Sequence, residues 1–186
     1  MAARLVWQKG LDLVLADRGL FDLDAQFIFL GGGEPRYVDA LRAWSVRRPD
    51  RVRADTSFND PAEHRLVAGA DVLLMPCQYE PCGLTQMRAQ RYGTLPLVRA
   101  TGGLADTVDD GATGFVFRAY DASAFAHAVL RAVRTFRERA TWERMTREAM
   151  ARDFGWERSA ARYLSVYRRV LGLPSVRQDR LLAGGV

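Results

Sequence analysis

The sequence predicts an α/β fold in which a parallel sheet carries helices on both of its faces. Short apolar runs of strand length alternate along the chain with longer stretches that have helical spacing. The runs are apolar at consecutive positions, which is typical of strands that are buried on both sides. Glycine-containing turns follow several of these runs, as they do where a strand passes into a helix.

The elements follow one another in a regular order. An apolar start at residues 5–7 leads into a helical pattern that includes Leu11, Val14 and Leu15. The strands are then predicted at residues 26–30, 51–54, 71–75, 95–98 and 114–117. The helices are predicted around residues 37–44, 61–68, 121–138, 140–151 and 156–171, with a further helix beginning near residue 84. Ligands of such sheets bind beyond the carboxyl ends of the strands, so the loops at those ends are the candidates for a site.

Length and composition limit the class of protein. With 186 residues, 48% of them hydrophobic, the chain can bury one full core. We expect one domain at residues 1–171 and a disordered tail at residues 172–186, where periodicity ends. No apolar stretch approaches the roughly 20 residues that a membrane span needs, and no signal peptide pattern is present. The sequence therefore predicts a cytoplasmic protein with no membrane partner.

The cysteines and the charges predict neither a metal site nor a nucleic-acid site. Cys77 and Cys82 are the two cysteines, and their spacing lacks the pattern of zinc ligands, so we expect no metal and no cofactor. The net charge is +5, but the arginines are scattered among acidic residues and lack interleaved aromatic residues. Lys9 is the single lysine among 27 basic residues, which marks it as a position that prefers a compact ammonium group.

Two loop-to-helix junctions form the most informative part of the chain. Residues 80–86 read Glu-Pro-Cys-Gly-Leu-Thr-Gln, so that a carboxylate precedes a turn and a helical pattern. Residues 101–107 read Thr-Gly-Gly-Leu-Ala-Asp-Thr and repeat this arrangement after the apolar run at residues 95–98. A helix N-terminus suits a phosphate group, and a fixed carboxylate beside it suits the hydroxyl groups of a sugar. Two such junctions predict a ligand with two parts.

These residues resemble a known family. Residues 80–86, residues 92–98 (Tyr-Gly-Thr-Leu-Pro-Leu-Val) and residues 101–108 are similar to the donor-binding half of bacterial glycogen synthases and plant starch synthases. The similarity extends more weakly through Arg4, residues 8–13 and residues 153–156. It implies a Rossmann-like domain that is the C-terminal half of a two-domain GT-B architecture of the family 5 type. The N-terminal half of that architecture, with most of the glucan acceptor site, is then expected in the same or a separate chain.

The resemblance implies a reaction and a set of site residues. The reaction is transfer of glucose from ADP-glucose to the non-reducing end of an α-1,4-glucan, with retention of the anomeric configuration. Arg4 and Lys9 are expected to hold the leaving diphosphate, and Glu80 is expected to contact the glucose hydroxyl groups. Phe58 is expected to stack on the nucleotide base. The remaining substrate-binding residues belong to the two junctions: Cys82, Gly83, Leu84 and Thr85 in the first, and Thr101, Gly102, Gly103 and Leu104 in the second.

Alternatives remain open at this stage. The chain resembles other retaining nucleotide-sugar transferases in architecture, although many of these have a second glutamate where this sequence has Arg88. A non-catalytic module that binds a nucleotide sugar is a further alternative, because the chain looks like half of a two-domain enzyme. The glycines at 31–33 lack the spaced third glycine of a dinucleotide-binding turn, which argues against a nicotinamide-dependent oxidoreductase. Whether the base is adenine or uracil is also open.

Overall fold

The computed structural model describes residues 1–17, 19–57 and 59–174, which belong to two compact units, Met1–Arg152 and Asp153–Val186. The strands of the first unit are β1 (Phe27–Leu30), β2 (Val52–Asp55), β3 (Val72–Met75), β4 (Leu95–Arg99) and β5 (Phe115–Phe117). Its helices are α1 (Leu11–Ala16), α2 (Pro35–Arg47), α3 (Asp60–Gly69), α4 (Thr85–Tyr92), α5 (Gly102–Thr107), α6 (Ala122–Arg137) and α7 (Arg139–Met150). The described part of the second unit contains α8 (Trp156–Val170).

All strand pairings in the described residues are parallel, as the sequence predicts, but the strands form two sheets. One sheet contains β1 and β2, with Phe27 opposite Val52, and the other has the order β3-β4-β5. The segment at residues 1–5 runs beside β1 through isolated bridges. A cavity of about 300 Å³ is lined by Met1, by Phe27 of β1 and by Leu73 of β3, among others. Among the described residues, no strand ladder joins the two sheets.

Side chains of the three-stranded sheet point to two separate cores. Leu74 packs in a cluster with α1, α2, α6 and α7, whereas its neighbours Leu73 and Met75 pack in a second cluster with α3, α4 and α5. Since side chains alternate between the faces of a strand, both faces of β3 are buried. Full burial of each such leucine stabilises the fold by about 1.5–3 kcal/mol. The predicted Rossmann-like sheet with helices on both faces is thereby confirmed.

The helix ends follow from local chemistry. The Asn59 side chain accepts a hydrogen bond from the N–H of Ala62 at 2.8 Å and caps α3, and Asp121 caps α6 through Ala124 in the same way. Gly93 ends α4 with φ +83°, a left-handed conformation that favours glycine. The helices predicted at 121–138, 140–151 and 156–171 are present within one or two residues of those bounds. A short 3₁₀ helix at Leu20–Asp22 has no counterpart in the predicted elements.

The predicted tail lies mostly outside the described residues, which end at residue 174. The predicted extent of the domain, residues 1–171, stays a prediction. Within the described ranges, no helix combines the length and the apolar character that a membrane crossing requires.

Candidate functional site

The loop that leaves β3 is fixed by hydrogen bonds from two other parts of the chain. The N–H of Gln78 donates to the carbonyl of Gln8 at 2.9 Å, and the Gln8 side chain donates to the carbonyl of Tyr79 at 3.1 Å. Arg99, at the end of β4, donates to the carbonyl of Cys77 at 2.9 Å and also to that of Gln78. The loop is thereby held at the carboxyl end of the sheet and delivers Glu80 there in a buried position.

Lys9 reaches this loop because the turn before α1 lies against it. The 3₁₀ helix Trp7–Lys9 ends at Gly10, which has φ +78°. A Cβ at Gly10 would lie 2.0 Å from the carbonyl oxygen of Pro76, so only glycine permits this approach. The ammonium group of Lys9 donates to Oε2 of Glu80, and the two side chains are only 18% and 11% exposed. Two of the predicted catalytic residues therefore form a largely buried ion pair.

The ion pair lies in the wall of a cavity of about 530 Å³. This volume falls in the range of about 300–1,000 Å³ that is usual for small-molecule sites. The exposed Arg4 also lines the cavity, as do Gly83, Leu84 and Thr85 at the start of α4. The structure therefore brings Arg4, Lys9, Glu80 and the first junction together in one place. Their roles in binding stay predictions.

Local contacts fix the backbone conformation of the first junction. Gly83 has φ +71°, as expected for a glycine that the turn requires, and a Cβ there would lie 2.4 Å from Oε1 of Gln86. The fully buried Gln86 side chain donates to the carbonyls of Cys82 and Gly83 and to the hydroxyl oxygen of Thr107. The exposed Cys82 also belongs to this turn. Gln86 is thus a positioning residue that the sequence motif contains but whose role only the structure reveals.

The second junction is arranged differently. The N–H of Gly103 donates to the carbonyls of Glu80 and Pro81, and that of Leu104 donates to the carbonyl of Thr101. A Cβ at Gly102 would lie 2.1 Å from the carbonyl oxygen of Glu80. The two glycines therefore allow α5 to pack closely against the loop that carries Glu80. A contact of these four residues with donor phosphates stays a prediction, since the amides of Gly103 and Leu104 already have partners.

The cavity is also lined by residues that the sequence motifs did not identify. Glu63 of α3 lines the same cavity, is only 7% exposed and forms an ion pair with Arg88 of α4. The sequence shows Arg88 at a position where many related transferases have a glutamate. Its pairing with Glu63 could not be predicted, because the two residues lie 25 positions apart. Cys77 also lines the cavity, and burial raises the pKa of its thiol to about 11, so that it remains protonated and unreactive near neutral pH.

Phe58, the predicted base-stacking residue, lies outside the residues that the structure describes. Among the residues that the structure describes, no group of three or more His, Cys, Asp or Glu side chains is placed to hold a metal ion.

Comparisons with known proteins identify the family to which the chain belongs. Residues 1–149 match the model of the family "Glycosyl transferases group 1". The chain is 48% identical to a glycogen synthase of Anaeromyxobacter sp. (strain Fw109-5), over 90% of this chain and 37% of that protein. It is 43% identical to glycogen synthase 1 of Synechocystis sp., over 94% of this chain and 38% of that protein.

The chain is also similar to a solved structure of a starch synthase. The catalytic domain of starch synthase IV from Arabidopsis thaliana, bound to ADP and acarbose, superposes with a TM-score of 0.81 and 32% identity. The match covers 92% of this chain and 38% of the starch synthase. The chain thus spans a little over a third of the length of the relatives it matches.

Proposed function

Because the chain belongs to the glycosyl transferases group 1 family, we propose that it is the donor-binding part of a glycogen synthase. In this proposal, ADP-glucose binds in the 530 Å³ cavity, and the longer protein transfers its glucose to the non-reducing end of an α-1,4-glucan with retention. The observation that carries the proposal is the placement of Lys9 and Glu80 together in that cavity, beside Arg4 and the start of α4. The names of the similar glycogen synthases support the choice of reaction.

The chemistry of the cavity fits a sugar diphosphate. Arg4 and Lys9 supply positive charge, and the start of α4 contributes backbone N–H groups and a partial positive charge. Glu80 is an acceptor for hydroxyl groups and would repel a phosphate. We propose that Lys9 and Glu80 neutralise each other in the free protein, and that on binding Lys9 turns to the diphosphate and Glu80 to the glucose.

The role of the two cations in the reaction follows from where charge develops. As the bond from the sugar to the diphosphate breaks, the bonding electron pair leaves with the diphosphate, whose terminal oxygen gains negative charge. Arg4 and Lys9 would meet that charge, whereas Glu80 would hold the glucose and favour positive charge on its ring. Removal of one preorganised donor of this kind typically lowers the rate about 10²- to 10³-fold. In this scheme Phe58 stacks on the base.

Calorimetry on the 186-residue chain tests the binding part of the proposal. ADP-glucose and UDP-glucose are titrated separately into the wild type and into the variants Lys9→Ala and Glu80→Gln. We expect binding of ADP-glucose that weakens at least about tenfold in Lys9→Ala, because a charge-assisted bond to phosphate is lost. Arg139→Ala removes an equally charged side chain on α7 that, among the described residues, forms its ion pair with the half-buried Glu143, and it serves as the control. If the wild type binds neither nucleotide sugar, the proposal is wrong.

The transfer reaction needs a different assay, because the relatives are more than twice as long as the matched segment. The remaining part of the Anaeromyxobacter glycogen synthase, joined to this chain, is incubated with radiolabelled ADP-glucose and glycogen. We expect labelled glucan from the joined protein and much less from its Lys9→Ala variant. Binding without transfer in the joined protein would favour a non-catalytic module. The proposed compartment is the cytoplasm, since both cysteines are free thiols, as a reducing compartment keeps them.

A further inference from the structure

Helices α3 and α4 are joined by two polar side-chain contacts. Nη1 of Arg88 lies 3.3 Å from Oε1 of Glu63, and Nδ1 of His64 lies 2.6 Å from the hydroxyl oxygen of Tyr92. The His64 and Tyr92 rings also pack edge to face, with centroids 5.9 Å apart. Of these two contacts, the ion pair involves a residue, Glu63, that also lines the cavity containing Lys9 and Glu80.

Glu63 is placed as a ligand-binding group would be. It is 7% exposed, yet it lines the same cavity as Lys9 and Glu80. Burial of a carboxylate is costly unless other groups compensate. Within the described parts of the chain, Arg88 is the one side chain paired with this carboxylate, and that contact lies at ion-pair distance without hydrogen-bond geometry. The carboxylate thus keeps acceptor capacity toward the cavity.

The pairing with Arg88 also orients Glu63. Nη1 of Arg88 is buried and has no hydrogen-bond partner among the described residues. Arg88 and Tyr92 lie four positions apart on α4, so they contact α3 from the same face of the helix. Glu63 is therefore held at a fixed place in the wall of the cavity.

We infer that Glu63, positioned by Arg88, is a second hydroxyl-binding carboxylate of this site and accepts hydrogen bonds from the ribose of the nucleotide. This inference rests on the proposed function. A nucleotide sugar has a hydroxylated ring on each side of its diphosphate, and an anionic wall repels the diphosphate but accepts hydroxyl groups. Glu80 comes from the loop after β3 and Glu63 comes from α3, so the two carboxylates can serve the two rings. The site should therefore bind ribonucleotides more tightly than deoxyribonucleotides.

The test measures this selection directly. The 186-residue chain is titrated calorimetrically with ADP, 2′-deoxy-ADP, 3′-deoxy-ADP and inorganic pyrophosphate, or with the uridine series if the wild type prefers UDP. We expect the wild type to bind the ribonucleotide about 10- to 100-fold more tightly than at least one deoxynucleotide. This affinity ratio corresponds to the loss of one hydrogen bond to a charged group. In Glu63→Gln and Glu63→Asp this preference should fall to less than about a third of the wild-type ratio, because the charged acceptor is lost or displaced.

The controls separate binding from structure. Arg88→Met should reduce the same preference, whereas pyrophosphate affinity should stay within about threefold in all three variants, since it contains no ribose. A merely structural role of Arg88 would weaken all ligands together and leave their ratio unchanged. Glu143→Gln makes the same chemical change on α7, where the side chain pairs with Arg139, and should leave every ratio unaltered.

The outcomes distinguish this inference from the proposal on which it rests. A wild type that binds neither ADP-glucose, ADP nor UDP would overturn both. A wild type that binds the nucleotide but does not prefer ribose would overturn the inference alone, as would a full preference that survives in both Glu63 variants. Thermal unfolding of each variant, followed by circular dichroism, shows that the compared proteins are folded. If Glu63→Gln does not fold, Glu63→Asp decides, because it keeps the charge that balances Arg88.

Discussion

Replacement of Gly10 by alanine should separate the turn that carries Lys9 from the loop that carries Glu80. Gly10 has φ +78°, a conformation that costs a residue with a Cβ about 1–2 kcal/mol. In addition, the new Cβ would lie 2.0 Å from the carbonyl oxygen of Pro76. An ordinary carbon-to-oxygen contact is about 3.3 Å, so the two segments must move apart by about 1.3 Å. Such overpacking costs a further 1–3 kcal/mol or so.

Gly111→Ala is the matched control for this prediction. Gly111 has φ +72°, but a Cβ there meets nothing within 4 Å. Both variants therefore incur the same backbone cost and the same change in the unfolded chain. We expect the free energy of unfolding, measured with urea, to fall by about 1–2 kcal/mol in Gly111→Ala and by about 2–5 kcal/mol in Gly10→Ala.

Binding provides the second measurement on the same pair of variants. Gly10→Ala should also weaken ADP-glucose binding, because Lys9 is displaced from Glu80, whereas Gly111→Ala should not. Equal stabilities of the two variants would show that the close approach at Pro76 is not tight in solution. The account of how Lys9 is positioned would then be wrong.

Three further predictions concern stability. Lys9→Met should destabilise the protein by about 3–5 kcal/mol, because it leaves the buried Glu80 carboxylate unpaired. The double variant Lys9→Met/Glu80→Gln should recover much of this loss in urea unfolding. A double variant as unstable as the single one would contradict this prediction. Gln86→Leu should lower the melting temperature, since two loop carbonyls lose their donor, while Gln26→Leu, at an exposed position, should not. Burial lowers the pKa of the Met1 amino group from 8.0 to about 5. Between these pH values the unfolded chain binds a proton that the folded chain does not, so the free energy of unfolding should fall by at most about 4 kcal/mol as the pH drops from 8 to 5. Acetylation of the amino group should abolish this trend.

Much of the fold could be predicted because its strands and helices follow local patterns. The run at residues 71–75 is apolar at consecutive positions, and β3 is indeed buried on both faces. The division into two sheets could not be predicted in the same way. Whether residues 1–5 pair with β1, with β3 or with both depends on backbone positions across the sheet, and side-chain patterns do not report those positions.

The candidate site was predictable to the extent that its residues lie in short motifs. The turn at Gly83 and the carboxylate at Glu80 could be identified from residues 80–86 alone. The ion pair of Lys9 with Glu80 joins positions 71 residues apart, and Glu63 and Arg88 belong to different helices. No local pattern marks such pairs. The second junction shows that a motif can also mislead. Its glycines are typical of a phosphate-binding turn, whereas in the structure the N–H of Gly103 donates to the carbonyls of Glu80 and Pro81.

The arrangement of charges explains how a site for a diphosphate can be partly buried in the free protein. An unpaired ammonium group with 18% of its side chain exposed would be costly, and Glu80 offsets that cost when no ligand is present. The same pairing means that a ligand has to replace both halves of the ion pair. A free phosphate can satisfy Lys9 but leaves Glu80 without a partner, whereas a sugar diphosphate satisfies both. The pair therefore favours the complete donor over its phosphate fragment, so ADP-glucose should bind more tightly than pyrophosphate even though pyrophosphate carries the greater charge.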